Sequence, residues 1–317
     1  FGNEVSSIAI SADSKSAVVG SIDGYVHFYT LDKSGSDKGL LSLVWGNKVA
    51  TWVASVAISA GGEYIGAGSW NDSVSFLCGH INEACEAQFG TLSGPRLWNY
   101  TDGSQMRSVA ISADGEYIVA GSNDNNLYLF NKNSSTPLWT YDQIGNDVSS
   151  VAISADGEYI VSNGLNGKFH LFDKDSSTPI WTYSSSSIGY AVDISADGNY
   201  IVASGWSKVY LFHKDSNNPL WTSSSAGDGI KSVSISADGE YIIAGSLDHK
   251  IYFYNKDSNV PLWSYETGDE VHFVSISADG EYLVAGSYDN NVYFFNKDNN
   301  TPLWSYNTGK PVYSAAI

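Results

Sequence analysis

The sequence predicts an all-β fold: a seven-bladed β-propeller of four-stranded antiparallel blades, with an eighth blade expected if the natural chain continues. Three observations lead there. One phrase, SVAISADGEYIVAGS in its third copy, recurs from end to end. Its central residue falls at Ile8, Val56, Val109, Val151, Val192, Val233, Val274 and Ala315, giving spacings of 48, 53, 42, 41, 41, 41 and 41. A period near 41 is that of a propeller blade and is too long for most helical repeats. Each copy also divides into four short runs of Val, Ile, Tyr and Phe, separated by Asp, Asn and Gly. All-β repeat folds often reach 317 residues as one unit, so residues 1–317 are expected to form a single propeller domain.

The third copy gives the elements in order. Ser108 to Ser112 reads as the first strand, and Ala113-Asp114-Gly115 as a hairpin turn. Tyr117 to Gly121 is the second strand, Asn123 to Asn126 a second turn, and Leu127 to Phe130 the third strand. Asn131 to Thr136 is a polar loop, followed by the fourth strand, Leu138 to Tyr141. Asp, Asn and Gly tolerate the positive φ of tight hairpins. Strands two and three are apolar on both pleat faces, as sheets covered on both sides require. Proline precedes the last strand at Pro137, Pro179, Pro219, Pro261 and Pro302. Lacking an N–H, it marks an edge strand. The Trp that follows (Trp98, Trp139, Trp181, Trp221, Trp263 and Trp304, with Trp45 in the first copy) is expected to pack between blades.

The stretch VxSVAISADGEYIVAGSxD resembles the first half of a WD-repeat. The second half departs from it: Phe130-Asn131, Phe172-Asp173 and Phe212-His213 stand where that family closes on Trp-Asp, and the Gly-His dipeptide is missing. The family's Trp–Ser–His–Asp hydrogen-bond set is therefore not expected. The tail YLFNKDSSTPLWTY looks like the repeats of pyrroloquinoline-quinone-type propellers. Quinoprotein dehydrogenases of that type usually have eight blades, a calcium site and often a vicinal disulfide. This chain has seven complete copies and no adjacent cysteines, so no cofactor is expected.

A net charge of −18 argues against a nucleic-acid ligand, which wants a basic face. The two repeated turns hold 16 of the 34 acidic residues, so about half of the acidity is turn chemistry multiplied by copy number. No apolar run approaches the roughly 20 residues of a membrane helix, and no direct membrane insertion is expected. The chain opens at Phe1 without a methionine or signal pattern, which reads as a processed mature form or an excerpt.

Cys78 and Cys85 lie in the irregular second copy, in an inserted loop (78–95) 11 residues longer than its counterpart in the third. Two cysteines seven apart in one loop point to a local disulfide and an oxidising compartment; metal binding with His80 is the alternative. Asn71, Asn99, Asn133 and Asn299 head N-x-[ST] sequons, in keeping with an extracellular or cell-surface, secreted chain. Asp173-Lys174-Asp175 and its counterparts lack the alternating ligands of a calcium loop and read as plain loops. Six histidines show no metal-ligand spacing, no G-x-S-x-G elbow occurs, and neither catalytic residues nor a metal site are assigned.

Function is sought where the copies differ. At the turn between strands two and three the varying residue is Ile22, Trp70, Asn123, Leu165, Trp206, Leu247 and Tyr288. At the entrance of the first strand it is Ser6, Ala54, Arg107, Ser149, Tyr190, Lys231, His272 and Tyr313. Both series fall at one end of the blades. Trp70, Trp206, Tyr288, Arg107, Tyr190, Lys231 and His272 are therefore assigned to a binding rim, rich in the residue types of interface hot spots. The alternative is that these aromatics fold onto neighbouring blades. Val312 to Ile317 begins another copy: the start of an eighth repeat, a closure strand, or a segment for self-assembly. The expected function is an extracellular or cell-surface binding scaffold for a protein partner or surface polymer. The alternative is an enzyme, such as a hydrolase or lyase acting on polysaccharide, with its site in the central channel.

Overall fold

The computed structural model describes residues 4–31, 40–80, 85, 95–101 and 103–317. They form seven four-stranded antiparallel sheets, each with its strands in chain order, and the fold is a seven-bladed β-propeller. The blades span 5–48, 53–101, 106–141, 148–184, 192–223, 230–266 and 271–307. They fall into two compact units, Phe1–Asp142 with blades 1–3 and Gln143–Ile317 with blades 4–7. In blade 3 the strands are Met106–Ile111, Tyr117–Ser122, Leu127–Asn131 and Trp139–Tyr141, within two residues of the expected limits. The fourth strand is an edge strand in every blade, as the prolines require.

The SADG turn is built by its own side chains. Ser112 Oγ donates to Asp114 Oδ1 at 2.6 Å, and the Glu116 N–H donates to the same oxygen at 2.9 Å. Gly115 takes φ 72°, a region open to glycine at no steric cost. The Ser–Asp bond recurs at 2.6 Å in Ser154–Asp156, Ser195–Asp197, Ser236–Asp238 and Ser277–Asp279. In the second turn the aspartate accepts a tyrosine hydroxyl four residues on: Tyr128 to Asp124 at 2.5 Å, Tyr252 to Asp248 at 2.6 Å, Tyr293 to Asp289 at 2.5 Å. Burial and the aspartate together push the Tyr252 and Tyr293 hydroxyls well above their ordinary range. This clamp occupies the turn for which the WD-repeat hydrogen-bond set was not expected.

The core is a series of layers between neighbouring blades. Between blades 6 and 7, Ile243, Ile251 and Phe253 meet Val274, Ile276, Leu283 and Phe295, all at most 6% exposed. Equivalent layers join blades 1–2, 2–3, 4–5 and 5–6. This explains why strands two and three carry apolar residues on both faces.

A polar latch closes each layer at its outer edge. The Trp of one blade donates its indole N–H to a backbone carbonyl in the next: Trp98 to Lys132 O at 2.7 Å, Trp181 to Lys214 O at 2.7 Å, Trp221 to Lys256 O at 2.6 Å, Trp263 to Lys297 O at 2.9 Å. Trp45 donates to Gly79 O in the same way. Three of these lysines lay their ammonium over the preceding blade's tyrosine: Lys132 on Tyr64 at 5.3 Å, Lys214 on Tyr159 at 4.8 Å, Lys297 on Tyr241 at 5.4 Å. Glu281 pairs with the Lys297 ammonium and holds it above its usual range.

Replacing Trp263 by Phe keeps the ring between Phe253 and Phe295 but leaves the Lys297 carbonyl without its donor. We expect urea unfolding to show a loss of about 1–2 kcal/mol. Trp304→Phe, at a side chain 50% exposed, should change stability by less than about 0.5 kcal/mol.

Candidate functional site

The two variable series meet because the backbone ties them together. In blade 7 the Tyr288 N–H donates to Glu270 O at 2.9 Å, two residues before His272. In blade 2 Trp70 is tied to Trp52 O at 3.1 Å, and in blade 3 Asn123 to Gln105 O at 2.9 Å. The varying turn residue is thus fixed beside the entrance of the first strand.

In the unit of blades 4–7 the side chains form an arc of two contacting groups, related by the charge of Glu270 acting on Lys231. Trp206, 44% exposed, lies 6.2 Å from the Tyr190 ring, and the Lys231 ammonium sits over that same ring at 3.8 Å. Burial pulls the Lys231 ammonium below its usual range, while Glu270 works against that shift. His272 Nε2 is 2.8 Å from Glu270 Oε2, and its ring stacks on Tyr288 at 3.7 Å with 2° between the planes. Tyr313 meets Tyr288 edge-on at 5.4 Å. The result is an alternation of aromatic faces and charges, with Trp206 and Tyr313 each 44% exposed.

In the unit of blades 1–3, Trp70 stacks on Trp52 at 4.1 Å, the two being 39% and 37% exposed. Arg107 Nε donates to Asn123 Oδ1. Five of the seven assigned side chains therefore share one arc, and Trp70 and Arg107 belong to separate pairs. The aromatics meet partners at their own blade's end while keeping exposed faces. Trp52 and Glu270 went unassigned from sequence; they hold the same position of blades 2 and 7, which is Glu4 in blade 1 and Gln105 in blade 3.

Blade 5 departs most from the repeat, and its departures shape the arc. Gly189 stands where Val148, Ile230 and Val271 begin the other first strands of this unit. A Cβ there would come within 2.4 Å of Asn163 Oδ1, because Asn163 replaces the usual glycine of the preceding blade. The size exchange shortens the first strand to Val192–Ile194 and leaves Tyr190 ahead of it. Four residues on from Gly189, Asp193 occupies a position that is Ala9, Ala57, Ala110, Ala152, Ser234 or Ser275 elsewhere. Its Oδ2 accepts from Ser234 Oγ at 3.1 Å and Ile235 N–H at 3.0 Å, its Oδ1 from Ile194 N–H at 2.9 Å. Burial outweighs these bonds and pushes its carboxyl up to about 6. One acid among alanines and serines was the available sequence signal.

Cys78 and Cys85 are joined in a disulfide; most of the inserted loop, 78–95, lies outside the described residues. Asn71, Asn99, Asn133 and Asn299 are all exposed. Among the described residues no group of three or more His, Cys, Asp or Glu side chains is placed to hold a metal ion.

The blades with a shared scaffold and differing ends define a β-propeller repeat protein. The family described as outer membrane protein assembly factor BamB matches residues 205–316, and that described as WD domain, G-beta repeat, matches residues 91–131 and 135–173. Over these segments the propeller is similar to WD-repeat and pyrroloquinoline-quinone-type propellers. No curated protein matches it.

Asp193 gives a pH signature. An unfolded aspartate titrates near 3.9, so between about pH 4 and 6 the folded chain holds this proton more tightly than the unfolded chain. Its contribution favours folding most below about pH 4 and is lost as pH rises through about 6. Asp193→Asn, which never ionises, should be more stable than the native chain at pH 7 by about 2 kcal/mol, with the difference vanishing near pH 4. Urea midpoints at the two pH values read this out. His170, buried and lowered to about 4, runs the opposite way but is common to both chains and cancels in the difference.

Proposed function

We propose that this chain is a protein-binding scaffold that docks its partner on the arc of Trp206, Tyr190, Lys231, Glu270, His272, Tyr288 and Tyr313. The observation that carries this reading is the arc itself: variable residues, in an otherwise repetitive chain, assembled into one surface of aromatic faces and charges. Aromatic anchors ringed by polar groups are the composition of interface hot spots. The WD-repeat and BamB-like matches add weight, since propellers of both kinds generally mediate protein–protein interactions. The Trp52–Trp70 pair and Arg107 provide further contact points on the other unit.

The setting we propose is an oxidising one, outside the cell or at its surface. The Cys78–Cys85 bond and the four exposed sequon asparagines support it. Intact mass of the natively produced chain should be two hydrogens lighter before reduction than after, and glycosidase should remove mass. Two free thiols would overturn the placement.

For the scaffold, the native chain and a Trp206→Ala/Tyr288→Ala variant are compared as bait for surface-fraction proteins. Truncating hot-spot aromatics costs about 2 kcal/mol each, so a partner bound through the arc should lose at least 30-fold in affinity. Trp70→Ala combined with Trp206→Ala tests whether both units are engaged. Retention of the same partner by every variant, or retention of a polysaccharide in place of protein, would count against the reading.

A further inference from the structure

The blade ends that carry the arc depart from the repeat in charge as well as in shape. The turn between the second and third strands holds an aspartate in blades 1, 2, 3, 6 and 7 (Asp23, Asp72, Asp124, Asp248 and Asp289). Blades 4 and 5 have none there and read Leu165-Asn166-Gly167 and Trp206-Ser207. Where that turn enters the third strand, blades 1, 2, 3 and 7 have Tyr25, Ser73, Asn126 and Asn291, but blades 4, 5 and 6 have Lys168, Lys208 and Lys250. Acids are lost and cations gained on neighbouring blades of a chain whose net charge is −18. Turn geometry does not require the exchange: Asn166 Oδ1 accepts the Lys168 N–H at 3.1 Å, as Asp248 Oδ1 accepts the Lys250 N–H at 3.1 Å.

These lysines are used differently from those at the opposite end of the blades. There Lys132, Lys174, Lys256 and Lys297 pair with Glu116, Glu158, Glu240 and Glu281, and Lys214 donates to the Tyr159 hydroxyl. Lys168, Lys208, Lys231 and Lys250 are half-buried and form no ion pair among the described residues. Blade 5 gathers the arrangement at one point. The Trp206 carbonyl accepts the Ile230 N–H at 2.8 Å, which brings Trp206 and Lys231 to the same Tyr190 ring. The Lys208 carbonyl closes the turn by accepting the Gly205 N–H at 2.8 Å. The carboxylates nearest this point are already engaged. Asp228 accepts the Gly229 N–H at 2.7 Å, Asp248 the Gly227 N–H and the Tyr252 hydroxyl at 2.6 Å each, and Glu270 lies 2.8 Å from His272.

Building on the reading of the arc as a protein-docking surface, we propose that its partner docks there through an acidic peptide segment, with carboxylates seated on Lys231 and Lys208 beside Trp206. Lys168 and Lys250, on the blades to either side, extend the cationic ground along the segment. Burial disfavours the Lys231 ammonium, and an incoming carboxylate supplies the counter-charge it lacks. A hydrogen bond between two charged groups is roughly twice as strong as a neutral one. The acids elsewhere on the chain do not cancel this attraction, because salt screens exposed charges beyond about 8 Å. A basic segment would find these carboxylates already hydrogen-bonded and would face unpaired ammonium groups.

The probe is a phage-displayed library of random dodecapeptides, selected on the full chain. The selected peptides should be enriched in Asp and Glu over the starting library. Made synthetically and labelled, they should bind by fluorescence anisotropy with an affinity that falls as salt is raised. Lys208→Gln/Lys231→Gln should weaken them about tenfold, while Lys174→Gln, at the opposite end of the blades, should leave binding unchanged. Enrichment of basic or uncharged peptides, full binding by Lys208→Gln/Lys231→Gln, or an equal loss in Lys174→Gln overturns the proposal. So does retention of a sulfated polysaccharide on these lysines when no acidic peptide is selected. Peptides lost by Trp206→Ala/Tyr288→Ala but kept by the lysine variant overturn this inference and leave the arc standing. Acidic peptides lost by the lysine variant but kept by Trp206→Ala/Tyr288→Ala uphold the lysine site and overturn the arc.

Discussion

Each blade of this chain is a thin sheet with two apolar faces, and neither is stable in water until a neighbour covers it. The contact between neighbours is therefore the constraint on which the rest of the structure depends. Its dry part is a layer of Val, Ile, Leu and Phe, of which Ile243, Phe253, Leu283 and Phe295 are typical. Its polar part is the latch, where a lysine carbonyl takes an indole N–H and, in three layers, the lysine ammonium covers a tyrosine of the same neighbouring blade. A buried indole donor left without an acceptor would cost about 1–3 kcal/mol, which couples the two halves of the latch. Stability in such an array is close to a sum of nearest-neighbour terms.

That constraint explains most of what repeats. The aspartates of both turns accept hydrogen bonds from serine, tyrosine and backbone donors and hold the hairpins at the geometry that lets the layers pack. In Asp289, burial alone would raise the carboxyl, yet the hydrogen bonds from Tyr293 and the backbone of Gly268 and Asn291 leave it below its usual range. These acids are committed to the scaffold, and about half of the acidity is a by-product of copy number.

What does not repeat is concentrated at the blade ends and in blade 5. The exchange of glycine for Asn163 and of valine for Gly189 keeps the volume of one layer while changing the path of the chain into Tyr190. Trp206 and Lys231 then reach the same ring, and Glu270 links that group to His272 and Tyr288. A repeat protein can vary such positions freely because they lie outside the layers that hold it together.

The sequence by itself determined the seven copies, their four strands, the turn chemistry and the edge position of the proline-led strand. Those are local or periodic properties: hairpin geometry, alternation and copy number are written into consecutive residues. The same periodicity located the variable positions, because a departure from a strict repeat stands out without any structure. It could not say which of them meet. That Trp70 pairs with Trp52 while Tyr190, Lys231, His272 and Tyr288 join through Glu270 follows from distances between residues up to about 100 apart in the chain, which depend on how one blade is set against the next. The raised carboxyl of Asp193 is likewise a product of tertiary packing. A carboxylate that breaks a small-residue position stands out in the sequence, but only burial decides what it costs.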